Sequence, residues 1–202
     1  MKIKKPYRSL KKLTDVLTII FIVNAIASLF EIIPDIQIIK FLQSGAAISD
    51  PPPLPPWTVA IFILQALSSL TLLVLFCIWV HRASSNAWNL TPDSMHFSPG
   101  WAVGWFFIPI ANFYKPYQAL REIWISSRPS SETVPPKFLL TWWIIFLLSE
   151  ISINFQNPTL TESRARWLIL LGIVGIVLQI SRSILATLFI RKVTINQDQK
   201  RG

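Results

Sequence analysis

Four long apolar runs constrain this chain more than any other feature. They cover residues 13–33, 57–80, 138–155 and 167–190. A helix needs about 20 apolar residues to cross about 30 Å of hydrocarbon. Lipid offers no partner to an exposed backbone N–H or C=O, so a run of this kind must close its hydrogen bonds within itself, as a helix. A membrane β-barrel would instead show short alternating segments. The second run carries no charge, whereas Asp15, Asn24 and Glu31 interrupt the first. The third contains Glu150 and the fourth Arg182.

Composition agrees with this reading. Of 202 residues, 52% are hydrophobic and 14% are charged, against about 25% charged in soluble domains. Disorder over most of the length is excluded, because it requires low hydrophobicity. Cys77 is the only cysteine, so no disulfide can form within the chain.

A fifth apolar stretch, residues 100–113, reads GWAVGWFFIPIANF. As a helix it would reach about 21 Å, short of the hydrocarbon thickness. Pro109 also removes a backbone donor inside it. It is expected to be a re-entrant or interfacial segment. After Lys115-Pro116 the chain reads as an amphipathic helix, with Phe113, Tyr117, Leu120 and Trp124 on one face and Lys115, Gln118, Glu122 and Ser126 on the other. Pro116 suits a first helical turn. This helix is expected to lie along the cytoplasmic interface.

The charge distribution orients the chain. The 19 basic and 10 acidic residues give +9. With four spans, fifteen basic residues fall on the side of the termini, and only Lys40, Arg164 and Arg166 fall opposite. Basic loops stay inside, which puts both termini in the cytoplasm. A full crossing by residues 100–113 would move the basic run from Lys115 to Lys137 outside. A cleaved signal peptide is the competing reading of the first run, with a small pair at Ala25 and Ala27. Apolar residues continue through Leu29, Phe30, Ile32 and Ile33, which favours an uncleaved anchor.

The expected fold is an all-α integral membrane protein: a four-helix transmembrane bundle, with the re-entrant segment and the amphipathic helix between spans two and three. Three regions follow. Residues 1–56 form an anchor helix and a Pro-rich outer loop, 57–191 the main membrane domain, and 192–202 a cytoplasmic tail. The loop's PPPLPP motif is a stiff spacer or a ligand for a proline-binding partner.

The centre of the chain is its most specific part. Trp79, Arg82-Ala83 and Asn86 close span two. The block Ser98-Pro99-Gly100-Trp101 follows, then the run Ile108 to Asn112, Lys115-Pro116-Tyr117, and Arg121 to Trp124. In these features the sequence resembles the bacterial membrane family catalogued as domain of unknown function 4328, over roughly residues 57–191. The resemblance implies a multi-span bacterial membrane protein and no particular activity.

Two sets of polar residues are candidates for function. Arg82 and Asn86, four apart on one helical face, form an expected inner-interface cluster with Asn112, Lys115, Arg121 and Glu122. Two readings of it are open. It satisfies the backbone groups freed at Pro109, or it binds an anionic group such as a lipid phosphate. The second set is Glu150 and Arg182. Helical rise puts them about 18 and 12 Å from the inner side, within reach of one another. A lone charge at mid-membrane costs about 2.5–3.5 kcal/mol, so the two are expected to pair, either as a bridge between helices or as a proton or ion relay. Asn24, Gln65 and Gln179 read as interhelical hydrogen bonders, and Gly172 and Gly175 as a place of close helix approach. Trp57, Trp79, Trp101, Trp124 and Trp167 read as aromatic belts.

No phosphate-binding glycine loop, HExxH or GxSxG motif occurs. His81 and His96 alone make no convincing metal site, and no cofactor is implied. The basic residues flank spans, which points to an anionic inner leaflet as partner rather than to nucleic acid. The leading expectation is a non-enzymatic accessory, sensory or scaffolding module that binds lipid or a protein partner in the membrane. The alternatives are a small transporter or channel component using Glu150 and Arg182, and a lipid head-group enzyme using His81, Arg82 and His96.

Overall fold

The structure, a computed structural model, describes residues 6–44, 56–129, 137–153 and 162–201. Some side chains at the outer ends of the helices, Glu150 among them, lie outside the described residues, as do most of PPPLPP and the connector after Pro129. Every regular element among the described residues is helical. The α-helices are α1 (Lys11–Leu29), α2 (Ile32–Gln43), α3 (Pro56–Leu90), α4 (Pro99–Gly104), α5 (Lys115–Ser127), α6 (Lys137–Ile153) and α7 (Glu162–Arg201). Short 3₁₀ turns at Pro92–Ser94, Trp105–Phe107 and Ala111–Phe113 join the central pieces.

Among the described residues, three helices are long and apolar enough to cross a membrane: α1, α3 and α7. With 35 and 40 residues, α3 and α7 reach about 52 and 60 Å, well beyond the hydrocarbon. The shorter α6 has 17 residues, about 25 Å, and lies antiparallel beside α7. Trp142 stacks on Phe189 at one level, and Arg182 donates to Ser149 Oγ, 3.2 Å away, at another.

Between apolar helices in lipid there is no hydrophobic driving force, so close packing and hydrogen bonds must hold them. In α1 the buried positions Thr14, Leu17, Phe21, Asn24 and Ser28 recur every three or four residues and face α3 and α7. Asn24 donates to Ser68 on α3 at 2.7 Å, an interhelical bond of the expected kind. The core is concentrated at one end. Phe189 stacks on Trp124 and Trp142 and meets the edge of Trp79. By contrast, the half of α3 from Val59 to Val74 is largely exposed.

The aromatic-belt expectation needs correcting at two positions. Trp79 and Trp124 are buried inside the protein, whereas Trp57, Trp101 and Trp167 are exposed. Trp79 and Trp124 are held by ring packing and their helix faces rather than by an interface. Gly175 also differs from expectation: among the described residues, nothing lies within 4 Å of a Cβ placed there.

Residues 97–127 form a hairpin against the core end. Trp88 Nε1 donates to the Phe97 carbonyl at 2.8 Å. The chain then runs back along α3 until Phe106 meets Phe76 edge-on. Having turned, it is caught by Trp143, whose Nε1 donates to the Phe113 carbonyl at 2.8 Å. Thus α5 leads away again, and its apolar face packs on α3 and α7 rather than lying free along an interface. Ser126, expected on the polar face, is buried with Ser127. Phe113, expected on the apolar face, is exposed, because it precedes α5 in a 3₁₀ turn and does not share its helical phase.

Candidate functional site

The expected cluster separates into four environments. Asn86 is 1% exposed and belongs to a buried polar layer. Its Oδ1 accepts from the Arg8 backbone N–H at 3.1 Å, and its Nδ2 donates to the Arg8 carbonyl at 2.9 Å and to Gln197 Oε1 at 3.1 Å. Gln197 is fully buried; its Nε2 donates to the Ala83 carbonyl at 3.0 Å and to Ser127 Oγ at 2.9 Å. Every amide hydrogen of both side chains therefore has a partner. The layer ties the N-terminal strap, residues 6–10, to α3, α5 and α7.

This layer corrects the reading in which Asn86 satisfies the backbone near Pro109. Asn86 instead meets the strap and the last turns of α7. Around Pro109 the backbone is served locally: Asn112 N–H donates to the Ile108 carbonyl at 2.7 Å, and Trp143 serves Phe113. The Asn112 side-chain oxygen is buried and finds no partner among the described residues.

Lys115 occupies a second environment. Its ammonium lies 5.3, 5.7 and 5.4 Å from the ring centroids of Phe97, Trp105 and Tyr114. A cation over several rings is attracted by each of their quadrupoles, so Lys115 clasps the two arms of the hairpin together. Glu122 forms a third. Its carboxylate accepts from the backbone N–H groups of His96 and Phe97 at 3.0 and 3.2 Å and lies 3.1 Å from His96 Nδ1. This fixes the start of the hairpin on α5. Arg121 points away and is exposed.

Arg82 belongs to the fourth, an open recess of about 450 Å³ between the strap, α3 and α4. Its lining combines the basic residues Arg8, His81 and Arg82 with Cys77, Ile78 and Val103. Gly100 borders it, with nothing within 4 Å of a Cβ added there. Among the described residues, no carboxylate stands within ion-pair distance of Arg8 or Arg82. The recess presents cationic donors beside apolar surface, which is the polarity of a phospholipid head group joined to its chains.

Of the intramembrane pair, the Glu150 side chain lies outside the described residues. Arg182 reaches the adjacent residue Ser149, and its guanidinium lies 5.7 Å from the Phe146 ring centroid.

Sequence reasoning missed Arg8, Ser127 and Gln197. For Gln197 a signal was present: Ile190, Val193, Thr194 and Gln197 continue the spacing of the buried face of α7. Thr194 bonds Thr14 at 2.7 Å, and Trp79 Nε1 donates to that same Thr14 hydroxyl at 3.0 Å. The region expected as a tail from residue 192 is the end of α7, held also by Lys200 on the Ser126 carbonyl and by Asp198, which accepts from Tyr7. Burial first, and then the nearby Arg128 charge, lower the Lys200 pKa.

Comparison with protein families matches residues 57–195 to the family described as "Domain of unknown function (DUF4328)". The chain belongs to this family. The match takes in α3 to α6, the hairpin and all but the last turns of α7. The DUF4328 region therefore includes Arg82 and Asn86, while Arg8 lies well before it and Gln197 just after it. No curated protein and no solved structure gives a match.

Proposed function

We propose that the chain is a four-span protein of the bacterial inner membrane, with both termini in the cytoplasm, that binds the phosphate of an anionic lipid in the recess at Arg8, His81 and Arg82. On this reading α6 is the fourth span, which its antiparallel pairing with α7 supports. The hairpin re-enters the membrane from the inside. Its contacts with Phe76 and Trp143, and the exposure of Phe107, Ile110 and Phe113, support that placement. The role is that of an accessory or scaffolding module whose position or state follows the lipid around it.

The observation that carries the reading is the recess itself. Arg8, His81 and Arg82 all line it, and no carboxylate among the described residues lies within ion-pair distance of either arginine. Guanidiniums match phosphate oxygens in a planar, bidentate fashion. Ile78 and Val103 in the same lining offer apolar surface for the start of an acyl chain. Fifteen basic residues on the inner side would favour an anionic leaflet.

Cys77 supplies the test, because it is the only cysteine and lines the recess. Its rate of maleimide modification would be measured in nanodiscs of phosphatidylcholine with increasing phosphatidylglycerol. Protection of Cys77 by phosphatidylglycerol, weakened about fivefold in Arg82→Gln, is expected; one basic side chain near an anionic surface contributes about 1 kcal/mol. Equal protection in Arg82→Gln would sink the reading. Protection by free glycerol phosphate in pure phosphatidylcholine would mean that the recess takes a soluble phosphate instead.

A further inference from the structure

Arg8 has a double position in this molecule. It lines the recess. Its backbone N–H and C=O are both held by Asn86, at 3.1 and 2.9 Å. Asn86 is in turn completed by Gln197, which lies 111 residues further along the chain. The strap on either side of Arg8 is tied to the same place. Tyr7 donates to Asp198, and the Arg201 guanidinium lies 5.1 Å from the Tyr7 ring centroid. Leu10 is fully buried. The backbone of Arg8 at the border of the recess is thus placed through contacts with the last two turns of α7.

We infer that Gln197, acting through Asn86, positions Arg8 for the anionic ligand, so that filling of the recess and docking of the end of α7 are coupled. The inference rests on the lipid reading of the recess and deepens it by naming its regulation. The physical basis is the saturation of the polar layer. Gln197 uses both amide hydrogens on Ala83 and Ser127 and its oxygen on Asn86, so it cannot shift without stranding buried groups. If the terminal turns undock, Asn86 loses a partner and the strap loses its anchor. Arg8 then ranges over many positions, and the ligand must order it on binding. Linkage is reciprocal: whatever strengthens binding when α7 is docked also strengthens docking when ligand is bound. The last turns of α7 are in water on this topology, so lipid composition would be legible on the cytoplasmic face.

A double-mutant cycle tests this, using Cys77 protection by phosphatidylglycerol in nanodiscs as the affinity readout. Arg8→Gln and Arg82→Gln should each weaken binding about fivefold, one basic contact apiece. Gln197→Met, which keeps the size and removes the donors, should weaken it as much as Arg8→Gln. The Arg8→Gln, Gln197→Met double variant should bind no worse than either single one, whereas Arg82→Gln with Gln197→Met should be additive. A merely structural lock would lower the melting temperature of Gln197→Met and leave the affinity of the folded protein unchanged, which overturns the inference. Additivity between Gln197→Met and Arg8→Gln overturns it too. Should Gln197→Met fail to fold, hydrogen exchange on the unaltered protein decides: amides 193–200 should exchange more slowly with phosphatidylglycerol present, and an unchanged rate overturns the coupling. The two readings fail differently. Weakened Arg82→Gln beside unaffected Gln197→Met removes the coupling alone, while unaffected Arg82→Gln removes the lipid site and the coupling with it.

Discussion

Asn86 shows how much one side chain can decide at the residue scale. It joins the backbone of the strap to a helix that ends more than a hundred residues away. Replacement by alanine leaves Arg8 N–H, Arg8 C=O and Gln197 Oε1 without partners, each in a buried or half-buried setting. Stranded groups of this sort cost about 1–3 kcal/mol each, so Asn86→Ala should destabilise the protein by about 3 kcal/mol or more in reversible unfolding from micelles. Tyr7 carries a pH signature. Burial first, then the hydrogen bond and charge of Asp198, push its phenol above the ordinary tyrosine range, with Arg201 pulling the other way. A raised folded-state value means its contribution is whole below the ordinary phenol pKa and is lost as pH climbs through the folded one. The stability difference between parent and Tyr7→Phe should hold steady from about pH 7 to 9 and shrink above about pH 10.

The hairpin is decided at the scale of elements. Residues 100–113 were legible as too short and too broken to cross, and the structure resolves them into a six-residue helix and two 3₁₀ turns. Pro99 at a helix start and Ser98 capping it are local features, and local rules find them. The path of the hairpin was not legible, because it depends on Trp88 of α3 and Trp143 of α6 and on Glu122 reaching back from the hairpin's own second arm. The amphipathic pattern of α5 had the same limit. Periodicity gave an apolar face, but a face can meet lipid or protein, and the sequence does not distinguish the two. A spin label at Ile110 should show high oxygen and low nickel-chelate accessibility if the hairpin tip enters lipid, and one at the exposed Gln118 should show the reverse. Equal accessibilities at the two sites would refute re-entry.

At the scale of the whole molecule, the buried aromatic packing among the described residues gathers at one end of the bundle. The ring cluster of Trp79, Trp124, Trp142 and Phe189 sits at the end to which the hairpin, the strap and the extensions of α3 and α7 all contribute. The proposed topology puts that end in the cytoplasm. With Cys77 replaced by serine, a cysteine at Ser9 or Gln199 should label only from the inside of oriented vesicles, and one at Ser44 only from the outside. Labelling of Ser9 and Gln199 from opposite sides would mean an odd number of spans.

Sequence alone determined the helical class, the family, and which stretches are apolar enough for lipid, because the membrane acts on every residue of a span in the same way and leaves a long uniform run. It also marked Arg82 and Asn86 as unusual. Tertiary structure alone decided that these neighbours part company, Arg82 to an open recess and Asn86 to a sealed polar layer. Four residues on a helix differ by only about 40° in direction, and what lies at the end of each direction is contributed by Arg8, Gly100 and Gln197 from distant parts of the chain. Whether the last ten residues hang free or close the core was settled in the same way, by whether an amide at Gln197 finds its partners.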